Sequence, residues 1–117
     1  MSDARRKSLE QLENDVWGDP THGSHLVTRC HELRKVPIGR LNVEDLRILI
    51  GQQIGLDHLI PLALEVLRND PLAEGDFYPG DLLKNVLGAS EEYWRQHPEE
   101  RAEVLRLAQP VRDQLPK

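Results

Sequence analysis

A chain of 117 residues suits one domain with a single hydrophobic core and is short for two. With 4% aromatic residues that core has to be built from Leu, Ile, Val and Ala, and a formal net charge of −5 speaks against a nucleic-acid-binding surface. The single cysteine, Cys30, excludes an intramolecular disulfide and fits a reducing compartment. No apolar run approaches the ~20 residues of a membrane span. The opening MSDARRKSLEQL lacks the apolar segment of a signal peptide. The expectation is a soluble, cytoplasmic protein with no membrane partner.

In chain order, Ala4 to Asn14 reads as a first helix with Leu9, Leu12 and Val16 on one side. Gly18-Asp19-Pro20 then breaks the period. Thr21 or Ser24 can cap a second helix, His25 to Leu33, whose stripe is Leu26, Cys30 and Leu33. Lys35 to Arg40 has a proline, a glycine and no period, and reads as a connection.

Asn42 looks like the cap of a third helix, with Asp45 three residues on as its capping-box partner. Glu44 and Asp45 suit the positive end of that helix. Leu46, Leu49 and Ile50 form its stripe, and Gly55 is its expected stop. Asp57 is then expected to cap the most regular helix of the chain. Leu56, Leu59, Ile60, Ala63, Leu64 and Leu67 follow the helical spacing there, and Leu62 and Val66 widen the apolar face. Pro61 falls at its fourth position and is tolerable so early. Asn69-Asp70-Pro71 closes it.

Next comes Glu74-Gly75-Asp76-Phe77-Tyr78-Pro79-Gly80-Asp81, a loop that neither a helical pattern nor a core requires. A short helix from Asp81 to Leu87 follows, stopped by Gly88. Ser90 caps another that carries Tyr93 and Trp94. Pro98 opens the last helix, lined by Val104, Leu107, Ala108, Val111 and Leu115 and weakened by Pro110 near its end. No segment alternates with a period of two. The fold class is all-α: one domain over residues 1–117, a compact bundle of five to seven helices around the helix containing Leu64, with Leu41 to Leu87 as its core segment.

Charge is uneven along this bundle. Between Val43 and Glu92 ten carboxylates face only Arg47, Arg68 and Lys84. Such a surface repels nucleic acid and attracts a basic protein, although a solvated acidic face that only aids solubility has the same composition.

Catalytic and metal chemistry find little support. His22, His25, Cys30 and His31 are the best metal candidates, but their spacing matches no paired-ligand pattern, so the expectation is no metal and no cofactor. His58 and His97 sit at helix starts. Glu74, Asp76 and Asp81 are close enough in sequence to act as an acid–base pair, yet no nucleophile elbow, GxGxxG or P-loop accompanies them. The expectation is a protein that is not an enzyme; a small metal-dependent enzyme is kept as an alternative. Leu46 to Leu67 also has the helix–turn–helix grammar of a transcriptional regulator, or of a regulator's partner. Against that stand Asp57, Pro61 and Glu65 in the second helix, with no base before Arg68, and acidic surroundings.

Of the aromatic residues, Phe77 is expected to turn inward and Tyr78 to stay partly exposed, as an anchor beside charges would. Trp17 and Trp94 are expected in the core.

Two segments, LRILIGQQIGLDHLIPLALEVL (Leu46 to Leu67) and EGDFYPGDLLKNVL (Glu74 to Leu87), resemble the signature of a family of bacterial immunity proteins of contact-dependent growth inhibition systems. GDFYPGDLL is the more specific part. The resemblance implies a small, helical, non-enzymatic protein that binds and neutralises the toxin domain delivered by a neighbouring cell. It does not place the binding surface. Charge does: a toxin that cuts nucleic acid needs a basic surface, and carboxylates can occupy it in place of phosphate. The expected partner-binding residues are therefore Glu74, Asp76, Tyr78 and Asp81, with Asp57 and Glu65 as outer members. Asp81 also has the position of a helix cap.

Overall fold

Ser8, Ser24, Asn42 and Ser90 each turn a side-chain oxygen onto the backbone N–H three residues ahead, and each opens an α-helix. The structure is a computed structural model and describes residues 3–18 and 24–115. Its α-helices are α1 (Leu9–Glu13), α2 (His25–Leu33), α3 (Val43–Gly51), α4 (Leu56–Asn69), α5 (Asp81–Leu87), α6 (Glu91–Gln96) and α7 (Pro98–Ala108). Short 3-10 helices cover Asp3–Arg6, Ile38–Arg40 and Gln109–Gln114. The turn expected at Asp19-Pro20, the alternative cap Thr21 and the candidate ligand His22 lie outside the described residues.

The bundle is all-α, and α4 is its axis. Leu59, Ile60, Ala63, Leu64 and Leu67 are each at most 1% exposed, and α4 packs against α3, α5 and α7. Leu46, Leu49 and Ile50 of α3 and Leu82, Leu83 and Val86 of α5 join the same core, where α3 and α5 make the most extensive helix pair. Trp94 is buried as expected, and Val104 and Ala108 bring α7 onto the cluster. The bundle ends where Pro110 was expected to weaken the last helix: α7 stops at Ala108 and tightens into the 3-10 turn. Among the described residues no helix is long and apolar enough to cross a membrane.

Several expectations are corrected. The first helix is not continuous from Ala4 to Asn14. Ser8 and Gln11 form a reciprocal capping box, so α1 starts afresh at Leu9, and Asn14 ends it in the left-handed conformation at φ 51°. The connection through Lys35 to Arg40 contains a 3-10 turn that buries Ile38. Gly55 does not stop α3, which ends at Gly51; with φ 63° it is the N-cap of α4. Asp57 is therefore not a cap but the second residue of α4. Pro61 moves to the sixth position, where its ring removes the N–H that Asp57 carbonyl would accept. A side chain at Gly55 would strike Leu9, so close approach as well as conformation holds glycine there.

Val16 and Trp17 are not in the core, being 72% and 40% exposed. Trp17 lies instead under the Arg34 guanidinium, 4.2 Å from the ring centre, and meets the His31 ring edge-on. Arg34 itself is buried and binds the Glu13 carboxylate and the Asp15 carbonyl, which ties the end of α1 to the end of α2. In α2, Cys30 and Leu33 reach the core but Leu26 does not; it is 40% exposed. Burial raises the Cys30 thiol above its ordinary pKa, as expected of an inert core cysteine.

Candidate functional site

The loop between α4 and α5 is held from below by carboxylates. Asp70 accepts the Leu72 N–H, the Gly80 N–H reaches the Leu72 carbonyl, and Glu74 and Pro79 pair across the loop as an isolated bridge. Gly80, at φ 89°, turns the chain into α5. Asp81, 1% exposed, follows as the first residue of that helix, and its carboxylate points back into the loop. One oxygen accepts the Gly75 N–H at 2.7 Å and the other the Phe77 N–H at 3.1 Å. The intervening N–H, that of Asp76, goes to Glu44 on α3 at 2.9 Å. Three successive backbone donors are thus consumed by two carboxylates, an arrangement that fixes the loop's shape.

Arg47 completes the base. It binds Glu44 with two nitrogens, at 2.6 and 2.5 Å, stands 3.8 Å from Asp81, and lies under the Phe77 ring at 4.3 Å. Phe77 is consequently 68% exposed instead of turned inward, because its ring covers a cation and not the core. Tyr78 is half-buried. Gly75 fits because any Cβ there would run into Glu44 and Asp81.

Hydrogen bonding from Arg47 holds the Glu44 carboxyl below its ordinary pKa; burial opposes the shift and the Asp76 N–H adds to it. A depressed folded-state pKa contributes stability that is present above the unfolded value of about 4.3 and is lost as the pH falls through the folded value. The Asp76 amide should therefore keep its hydrogen-exchange protection through the ordinary carboxylate range and lose it only in stronger acid. Glu44→Gln should remove that acid dependence, measured against the same amide in the parent. The same acid dependence in the parent and in Glu44→Gln would exclude a carboxylate latch.

Of the residues expected to bind a partner, Glu74, Asp76, Tyr78 and Asp81 share this loop, with Glu74 and Asp76 exposed and Asp81 beneath. Asp57 and Glu65 are exposed on α4 and engaged elsewhere: Asp57 lies 3.4 Å from His97, and Glu65 pairs with Arg5. His97 also stacks on Tyr93, whose hydroxyl donates to Glu100; burial, then that hydrogen bond, pushes the Tyr93 pKa up.

Sequence reasoning missed Glu44 and Arg47 as parts of the site. Their i, i+3 spacing in the first turn of α3 was a visible ion-pair signal, but the helix dipole already accounted for Glu44. It also missed a cleft of ≈ 510 Å³ between α2 and α3 that opens beside Asp76. Glu32, Glu44 and Asp45 bound it, Leu26 lies at its rim, and Arg29 reaches Asp45 at 3.2 Å and Glu32 at 3.5 Å.

Among the described residues no group of three His, Cys, Asp or Glu side chains is placed to hold a metal ion. The helix–turn–helix grammar of α3 and α4 does not yield a recognition helix: one face of α4 is buried in the core, and the exposed face carries Asp57 and Glu65, which repel phosphate. Comparison with curated proteins and with solved structures returns no match. A sequence profile does match, over residues 11–104, which span both segments of the resemblance and most of the chain; on that extent the chain belongs to the family of CDI immunity proteins.

Proposed function

We propose that this chain binds the toxin domain of a contact-dependent growth inhibition system and neutralises it by covering a basic, nuclease-like active-site surface. It acts as a binding protein and not as an enzyme. The family supplies the class of partner. The observation that carries the mechanism is the acidic loop: Glu74 and Asp76 stand exposed on a backbone whose donors are already satisfied from beneath. A preformed carboxylate pair costs little ordering on binding and can take the place of phosphate on a basic surface. Glu74, Asp76 and Tyr78 form the contact, Asp81 braces it from below, and Asp57 and Glu65 on α4 are its outer members.

The test uses a purified toxin domain of the contact-dependent growth inhibition system against which this chain protects cells, presented to the parent and to a Glu74→Lys/Asp76→Lys double variant. Association of the variant should be roughly ten-fold slower at low salt, with the difference shrinking as salt rises and the helical spectrum intact. Unchanged, salt-independent association together with full protection of cells would place the contact elsewhere on the bundle.

A further inference from the structure

The first half of α2 is barely covered by the rest of the protein. Every residue from Ser24 to Arg29 is exposed, and the principal packing partner of α2 is α3. Leu26 and Val27, 40% and 39% exposed, are adjacent large aliphatic side chains on that half-turn. Leu26 faces the cleft toward α3. Val27 lies one turn before His31, whose ring meets exposed Trp17 at 5.1 Å. Leu26 and Val27 thus form an exposed aliphatic pair at the edge of the cleft, with His31 and Trp17 about one turn farther along. Leu105 on α7, by contrast, is 46% exposed, the ordinary condition of a scattered surface residue.

The cleft beside this surface is acidic. Glu32, Glu44, Asp45 and Asp76 line it with His25; among the described residues Arg29 pairs with Asp45 and Glu32, and Arg47 pairs with Glu44 from beneath, which leaves carboxylates in excess. Its far bank is the loop that presents Asp76 and the Phe77 ring. A concave acidic channel with aliphatic side chains on one bank and an aromatic ring near the other suits an occupant carrying positive charge along one side and an apolar residue on the other.

We infer that the cleft between α2 and α3, flanked by Leu26 and Val27 and by Asp76 and Phe77, is the docking site for a basic segment of the toxin domain bearing an apolar anchor. The inference rests on the function proposed above and extends its contact from one loop to a second element. In it the loop carboxylates speed the encounter, and the α2 aliphatics set how long the complex lasts.

The probe is again that purified toxin domain, with binding followed by biolayer interferometry. Leu26→Ser/Val27→Ser should weaken binding by roughly ten-fold, almost wholly through faster dissociation. Leu105→Ser, an equally exposed aliphatic away from the cleft, should change it by less than about two-fold. Glu32→Lys should slow association at low salt and leaves the apolar surface untouched, so it tests the cleft even where the double variant loses its fold. Hydrogen exchange of the complex should show new protection over residues 25–32. Parent-like binding by Leu26→Ser/Val27→Ser and Glu32→Lys, while Glu74→Lys/Asp76→Lys is impaired, overturns the cleft and leaves the toxin-binding function standing. Failure of the parent to bind the domain overturns both. A parent that is dimeric alone, and that Leu26→Ser/Val27→Ser converts to monomer, assigns the surface to a second copy of the chain and also overturns the inference.

Discussion

Leu64→Ala should lower the unfolding free energy by about 2–5 kcal/mol, the range for emptying a well-packed aliphatic site. Leu64 is 1% exposed in the middle of α4, with Ile60, Ala63 and Leu67 equally buried around it. The helix it sits on touches α3, α5 and α7, so no single neighbour can move to refill the space without disturbing a second contact. A domain of this size has roughly 5–15 kcal/mol in total, and the loss is therefore a large part of it. Each kcal/mol corresponds to about 4 °C in Tm, which makes thermal melting an adequate readout. Leu62→Ala is the internal control. Leu62 lies on the same helix but is only partly buried, and it should cost less than half as much. A Leu64→Ala cost below about 1 kcal/mol would mean that α4 is not the axis of the core.

The helical frame was legible in the sequence because local signals carry it. Ser24, Asn42, Ser90 and Pro98 each act on backbone groups within three residues, and each marks a helix start as expected. The apolar spacing of Leu59 to Leu67 is equally local, and it identifies the buried axis. What was misread depends on partners distant in sequence. Nothing near Phe77 shows that Arg47, thirty residues earlier, offers its ring a cation, so an aromatic residue in a loop was assigned inward. Trp17 was misassigned for the same reason, with Arg34 as the cation. Gly55 was misread differently. A glycine with positive φ can end one helix or begin the next, and the choice was made by Gln53, which takes φ 60° and frees Gly55 to cap α4. In the candidate site the acidic loop was visible as composition. Its support by Glu44 needed the packing of α3 against α5 to appear, and the cleft beside Asp76 needed the packing of α2 against α3.

Replacing Asp81 should show whether that support is what makes the loop a surface. Its buried carboxylate accepts two backbone N–H groups, from Gly75 and Phe77, and faces Arg47. Asp81→Ala removes both acceptors and leaves the Arg47 cation with Glu44 as its remaining close carboxylate. The expected cost is about 3–5 kcal/mol, as for other buried charged groups stripped of a partner. Asp81→Asn keeps the shape and one acceptor oxygen but turns an amide N–H₂ toward a donor, so it should cost about half as much. Because the lost bonds belong to the loop, much of the effect should be local: hydrogen exchange at Gly75, Asp76 and Phe77 should accelerate far more than exchange in α4. Toxin binding should weaken in step with that local opening, although Asp81 is buried and out of reach of a partner in the closed loop. A loop that keeps its protection in Asp81→Ala, with binding unchanged, would show that Glu44 and Arg47 suffice to shape it and that Asp81 serves only the core beneath.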